Sequence, residues 1–203
     1  MKENTNYSIL LKIFVRNGGF ITRKDVDEAN VSSWFLSYFV KKNGLSKIAP
    51  GLYGDEGYIY DKLHLIQRRY PKYIFAGITA LYLYGLTDRI PEIIEVVAPQ
   101  GYNPSRKKDK SLRVRQISDP HKYLSDITEI ETDFGNIVKV YSAERVICDL
   151  IKNRDKYDSE LFVKAIKLYL RKINNQIKLF ECARNNNIEK QVFEIVEVAN
   201  NED

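Results

Sequence analysis

The segment from Thr22 to Tyr53 reads TRKDVDEANVSSWFLSYFVKKNGLSKIAPGLY and predicts two helices followed by a tight β-hairpin. Thr22 and Ser32 stand where the two helices would begin, because a hydroxyl there can accept an N–H of the first turn. Asn30 falls between the helices, where its side chain favours a turn. Ala49-Pro50-Gly51 predicts the turn of the hairpin. This order of elements predicts a winged helix-turn-helix.

The second helix of this segment has one apolar and one polar face. Its apolar positions recur at helical spacing and comprise Phe35, Leu36, Phe39 and Val40. The other face offers hydroxyl, aromatic and cationic side chains, which suit the base edges and phosphates of a DNA major groove. The residues expected to face the groove are Ser33, Trp34, Ser37 and Tyr38. The residues expected to hold phosphates, and so to fix the register, are Arg23, Lys24, Lys41, Lys42 and Lys47.

An alternative interpretation of the same face is a protein-binding domain. A polar helix face is usually solvated, and small helical domains with a hairpin also bind proteins. Trp34 and Tyr38 would then pack against a neighbouring element instead of DNA.

The positive charge of the chain is unevenly distributed. The 203 residues have a net charge of +5. Residues 1–52 hold eight Lys and Arg against four Asp and Glu, residues 100–122 hold seven against two, and residues 123–203 hold twelve against fifteen. Because neutralising phosphates releases counterions, the two basic blocks indicate a polyanionic partner.

The second basic block is a candidate contact surface of its own. It would touch the DNA backbone beyond the winged segment or grip an acidic protein, unless it is simply a solvated loop. Its residues are Arg106, Lys107, Lys108, Lys110, Arg113 and Arg115.

The sequence signals no cofactor, metal or membrane partner. Cys148 and Cys182 are isolated, and His64 and His121 lack the spacing of a zinc site. The N-terminus has no apolar signal core, and no run approaches the roughly 18 apolar residues of a membrane span. A cytoplasmic protein is expected.

The chain is expected to contain two domains of an α+β protein. A winged helix-turn-helix would occupy residues 1–56, with a boundary in the polar segment 54–57. Residues 57–203 would form a mixed α/β domain that ends in a helical bundle, because several strand patterns precede a series of helical ones. The helical patterns there include 143–151 and 158–169.

An enzyme is the least favoured class. Asp126, Glu129, Glu131 and Asp133 alternate along a strand, but no glycine-rich phosphate loop precedes them. A metal-dependent nuclease would pair acidic residues with a strand lysine, and Asp133 with Lys139 matches that pattern only loosely. We therefore expect no catalytic residue.

Four motifs stand in order along the chain. They are Ile21-Thr22-Arg23-Lys24-Asp25-Val26, Ile48-Ala49-Pro50-Gly51-Leu52-Tyr53, Ala80-Leu81-Tyr82-Leu83-Tyr84-Gly85-Leu86 and Tyr141-Ser142-Ala143-Glu144-Arg145-Val146-Ile147-Cys148-Asp149-Leu150. Together they resemble the AbiEi family of antitoxins from type IV toxin–antitoxin systems, which act in abortive phage infection. The resemblance covers nearly the whole chain. Ala76-Gly77 departs from the family, whose members often carry polar residues there.

The resemblance implies a transcriptional autorepressor and antitoxin. The winged domain would bind double-stranded DNA at inverted repeats in its own promoter, as a monomer in solution that binds cooperatively. The second domain would counter a nucleotidyltransferase-like toxin without catalysis, and no residue is assigned to that action. The alternatives are an adaptor that binds proteins without DNA and, less favoured, a metal-dependent nuclease or nucleotidyltransferase.

Overall fold

The computed structural model describes residues 2–102 and 110–201. The chain divides into two compact units, Met1–Arg69 and Tyr70–Asp203. The predicted boundary between functional domains 1–56 and 57–203 lies before the helix Lys62–Arg69. The boundary between the two compact units lies after that helix, so the helix belongs to the first unit. That functional division stays a prediction.

The first unit contains four helices and a three-stranded antiparallel sheet in its described residues. The sheet has the order β1-β3-β2, with Ile21 opposite Tyr53 and Lys47 also opposite Tyr53. The elements are α1 (Lys2–Arg16), β1 (Phe20–Thr22), α2 (Arg23–Glu28), α3 (Ser33–Lys42), β2 (Ser46–Ala49), β3 (Leu52–Gly54) and α4 (Lys62–Arg69). The pair β2–β3 is the wing, and the order of elements is that of a winged helix-turn-helix.

Local signals fix the ends of α2 and α3. The Thr22 hydroxyl accepts the N–H of Asp25 and the Ser32 hydroxyl accepts that of Phe35, at 3.0 and 3.3 Å. Asn30 takes a left-handed φ of 55° in the turn between the helices. Gly51 has a φ of 75° in the wing turn, a conformation that L side chains rarely adopt. The helix caps and turns predicted from the sequence are therefore present.

An apolar core joins α1, α2 and α3 to β1. Its buried side chains are Leu10, Ile21, Val26, Val31, Phe35, Leu36 and Phe39. Because α3 contributes three of these from one face, its opposite face is left at the surface.

Asp25 is a buried carboxylate at the centre of a polar network in the first unit. It accepts hydrogen bonds from the Thr22 backbone N–H at 2.9 Å, the Thr22 hydroxyl at 2.6 Å and Asn17 Nδ2 at 3.0 Å. It also forms an ion pair with Arg68 of α4. The network ties the α2 N-terminus to α4 and to the end of α1.

The second unit is built on a mixed five-stranded sheet of order β6-β5-β4-β8-β7. β4 pairs with β8 in parallel and with β5 antiparallel, whereas β5 and β6 are parallel and β7 and β8 antiparallel. The strands are β4 (Ile74–Phe75), β5 (Ile94–Pro99), β6 (Leu112–Ile117), β7 (Ile127–Glu131) and β8 (Ile137–Tyr141).

Helices follow β4, β6 and β8 in the chain, and the C-terminal helices pack together as a bundle. α7 packs against α5, α8 and α9, and eight of its ten residues are buried. The helices are α5 (Gly77–Leu83), α6 (Pro120–Leu124), α7 (Ala143–Lys152), α8 (Ser159–Lys172), α9 (Gln176–Asn185) and α10 (Glu189–Asn201), with a 3₁₀ turn at Arg154–Lys156. The predicted fold class is confirmed: an N-terminal winged helix-turn-helix and a mixed α/β unit that ends in helices.

Arg145 of α7 is only 5% exposed and is shared by two carboxylates. Its side chain lies 3.8 Å from Asp126 and 3.6 Å from Asp149, and it donates to the Ser125 hydroxyl at 3.0 Å. The guanidinium lies over the Tyr141 ring at 5.2 Å. This cation joins the start of β7 to α7.

Candidate nucleic-acid interface

The exposed face of α3 contains the residues that the sequence predicts for base contacts. Ser33, Trp34 and Ser37 are exposed and Tyr38 is half-buried, whereas Phe35 on the opposite face is 3% exposed. The N-terminal turn of the helix begins this face, and the N-terminal residues of a recognition helix are those that contact bases in helix-turn-helix proteins.

The two serines of this face offer oxygen atoms at its surface. The Ser37 hydroxyl donates to the Ser33 carbonyl at 3.1 Å, one helical turn earlier. Because its proton is engaged, Ser37 presents its remaining lone pairs to solvent as acceptors. Such an acceptor suits the exocyclic amino groups of cytosine and adenine.

An aromatic stripe runs along one side of the exposed face. The rings of Trp34 and Tyr38 are parallel within 6°, with centroids 6.0 Å apart. Lys42 Nζ lies 5.4 Å from the Tyr38 ring and 4.5 Å from the Tyr7 ring of α1. These stacking and cation–π contacts hold the aromatic side chains in place along the helix. Tyr7 had not been predicted as part of the interface.

Lys41 and Lys47 are the cations best placed to meet phosphate. Both are exposed, Lys41 on α3 and Lys47 on the wing, and neither forms an ion pair within the described part of the chain. Lys42, in contrast, is engaged with the two tyrosine rings. An exposed cation without a carboxylate neighbour has its full charge available to a phosphate.

Arg23 and Lys24 of α2 are exposed but face carboxylates on their own helix. Arg23 pairs with Asp27 at 2.9 Å and Lys24 with Glu28 at 3.5 Å. Both also line a small cleft of about 160 Å³ beside the wing turn, together with Arg69 of α4. Arg69 was not among the residues predicted for the interface. Only the fold brings it to the side of α2.

The second basic block is less cationic than its sequence suggests. Arg113 of β6 pairs with Glu95 at 2.6 Å, and Arg115 pairs with Asp149 at 2.7 Å. These pairs line a cavity of about 190 Å³ between β5, β6 and the end of α7. Lys110 is exposed, while Arg106, Lys107 and Lys108 lie outside the described residues. The role of this block as a contact surface stays a prediction.

The groups considered for catalysis are engaged elsewhere in the fold. Asp126 pairs with Arg145, and Asp133 accepts a hydrogen bond from the Tyr82 hydroxyl at 3.1 Å. Burial raises the pKa of both cysteine thiols, that of Cys182 to about 12, so both are protonated at neutral pH. Among residues 2–102 and 110–201, no group of three or more His, Cys, Asp or Glu side chains could hold a metal ion.

None of the helices that the structure describes combines the length and apolar character required to cross a membrane.

Comparison with known families supports this geometry. Residues 8–54 match a family model described as "Transcriptional regulator, AbiEi antitoxin". The matched residues lie in the first unit, and we name them the AbiEi segment after this similarity. The segment runs from α1 to the end of β3, so it contains α3 and the wing. The resemblance predicted from the sequence is confirmed for residues 8–54.

The fold also occurs in a solved structure. The crystal structure of the RV2827C protein from Mycobacterium tuberculosis is similar with a TM-score of 0.59 at 13% identity. The similarity covers 96% of this chain and 77% of that one. At this identity the similarity shows the fold alone. No curated protein matches the chain in sequence.

Proposed function

We propose that the chain is a transcriptional autorepressor and antitoxin of a type IV toxin–antitoxin system that acts in abortive phage infection. The AbiEi segment binds inverted repeats in the promoter of its own operon. The second unit counters a nucleotidyltransferase-like toxin without catalysis, in the cytoplasm. The observation that supports this most is the exposed face of α3, followed in the chain by a wing with an exposed Lys47, within a segment that matches a family model of transcriptional regulators.

The contacts expected with DNA divide between bases and phosphates. Ser33, Trp34, Ser37 and Tyr38 would lie in the major groove, with the N-terminal turn of α3 entering first. The wing would follow the backbone through Lys47, and Lys41 would meet the phosphates beside the groove. The cleft lined by Arg23, Lys24 and Arg69 suits another phosphate, since three cations converge on it.

One copy of the AbiEi segment is a small module. Single modules bury only about 600–1,000 Å² of protein surface on DNA, so the second copy on an inverted repeat would supply much of the affinity. Two half-sites about 34–36 Å apart, or a multiple of that distance, place both copies on one side of the duplex. We propose cooperative binding by monomers at such a repeat.

Replacing Lys41 by alanine is expected to weaken binding to every duplex and to flatten its salt dependence. If six to eight phosphates are neutralised, log affinity falls against log salt with a slope of about −5 to −7, and each lost contact removes about 0.9 from that slope. Fluorescence anisotropy with upstream DNA at several salt concentrations measures both quantities. Lys24→Ala is expected to have a smaller effect, because Lys24 already faces Glu28.

Lys12→Ala is the matched control, because Lys12 is exposed on α1 in the same unit. For this variant, the slope of log affinity against log salt should equal that of the unaltered chain. A slope that does not change in Lys41→Ala, or that changes equally in Lys12→Ala, would remove α3 from the phosphate contacts.

The antitoxin part is tested separately from repression. A double variant with Lys41→Glu and Lys47→Glu should lose binding to the promoter and still relieve growth arrest by a co-expressed nucleotidyltransferase-like toxin from the neighbouring gene. Growth and promoter activity are measured in the same cells. Failure of the unaltered chain to relieve the arrest would leave repression as its sole role.

A further inference from the structure

Trp34 is an unusual residue for a surface helix. It is the chain's only tryptophan, and it is 68% exposed in the first turn of α3. Tryptophan is enriched at contact surfaces, because it combines a large apolar ring with a polar N–H. The ring is nevertheless well held, because the parallel Tyr38 ring lies on one side and Phe35 lies 6.2 Å away.

The polar atom of Trp34 is also available. Its indole N–H donates no hydrogen bond within the described part of the chain. An indole is a donor only, so it suits a hydrogen-bond acceptor and is repelled by a second donor. The exposed edge of Trp34 thus offers one donor beside apolar carbon atoms.

Among the bases, thymine is the one whose major-groove edge complements a hydrogen-bond donor that lies beside apolar carbon atoms. Thymine presents the O4 acceptor next to the C5-methyl group. Cytosine presents an amino donor, adenine presents an acceptor beside a donor, and guanine presents two acceptors without a methyl group. We infer that Trp34 recognises thymine in each half-site, with its N–H on O4 and its ring against the methyl group.

Tyr38 is a positioning residue for Trp34 in this scheme. Its ring is parallel to the indole and is itself fixed by Lys42 and by Phe35, at 5.4 Å each. A side chain that is ordered before binding loses less entropy when the complex forms. The inference rests on the proposed DNA binding and adds the base that the helix selects.

Replacing thymine by deoxyuridine removes only the methyl group and tests this contact directly. Duplexes that bind the unaltered chain are first selected from a random pool, and each thymine is then replaced singly. At one or two positions per half-site, affinity should fall about fourfold, the effect of exposing one buried methyl group. Trp34→Ala should bind more weakly to the thymine duplex and show no further loss with deoxyuridine.

Controls separate this inference from the proposed function. Leu11→Ala removes an exposed apolar side chain from α1 and should retain the full deoxyuridine effect. Equal binding of thymine and deoxyuridine duplexes would overturn the inference and leave DNA binding intact, as would a deoxyuridine effect that persists in Trp34→Ala. Failure to select any duplex would overturn both.

Discussion

Asp25→Ala is expected to lower the free energy of unfolding of the first unit by about 3–5 kcal/mol, the cost of removing one partner from a buried ion pair. The Asp25 side chain is 1% exposed, and its loss leaves Arg68, Asn17 and the Thr22 N–H without their shared acceptor. The capping box of α2 is lost with it, because Thr22 keeps only half of that reciprocal arrangement. Binding to DNA should fail because α2 loses its connection to α4 and to the end of α1.

Urea denaturation followed by Trp34 fluorescence measures this loss, since the chain's single tryptophan lies in α3. Asp27→Ala is the matched control: it removes the same side chain two residues later, where Asp27 is 58% exposed and pairs with the half-exposed Arg23. An exposed pair contributes about 1 kcal/mol or less. Similar losses for Asp25→Ala and Asp27→Ala would refute the role given to the buried network.

Arg145→Met is expected to destabilise the second unit by a comparable amount, about 3–5 kcal/mol. Methionine retains most of the volume but leaves Asp126 and Asp149 without the cation they share. Asp149 would keep Arg115, which is half exposed, whereas Asp126 has no other ion pair among the described residues. The start of β7 and α7 would therefore be held together less firmly.

Far-UV circular dichroism in urea reports the second unit, which holds most of the helices. Arg184→Met provides the control, because Arg184 is 70% exposed and pairs with the half-exposed Glu189. We expect the control to lie within about 1 kcal/mol of the unaltered chain. Should Arg145→Met unfold at the same urea concentration as Arg184→Met, the buried cation would have no structural role.

The elements of the first unit were predictable because their signals are local. Thr22, Ser32 and Asn30 each act within three residues of a helix end, and the apolar face of α3 follows from helical spacing alone. In the second unit, α6 was missed although Asp119 and Pro120 form a good helix start. Its five residues have no buried side chain, so there was no apolar periodicity to detect.

Contacts between distant segments were not predictable. In the sequence, Arg113 and Arg115 belong to a basic block. The carboxylates with which they pair in the fold lie 18 and 34 residues away along the chain. Similarly, Arg69 joins Arg23 and Lys24 only because α4 packs beside the wing turn. One sequence cannot indicate such pairs, because strand order and helix packing determine which charges meet.

Glycine at position 77 has a physical reason in this fold. Gly77 has a φ of 55°, and an added Cβ would lie 1.9 Å from Glu95 Oε2. That carboxylate accepts the Ile78 N–H at 2.9 Å and also holds Arg113. A side chain at position 77 would therefore displace Glu95. The polar group beside the start of α5 is the Glu95 carboxylate, which β5 supplies.

Acrylamide quenching of Trp34 tests most directly whether the exposed face of α3 enters a duplex groove. Because Trp34 is 68% exposed, its fluorescence in the free protein should be strongly quenched. With a saturating selected duplex, the quenching constant should fall severalfold, since the groove covers the ring. An unchanged quenching constant in a complex whose formation is confirmed by anisotropy would contradict the account.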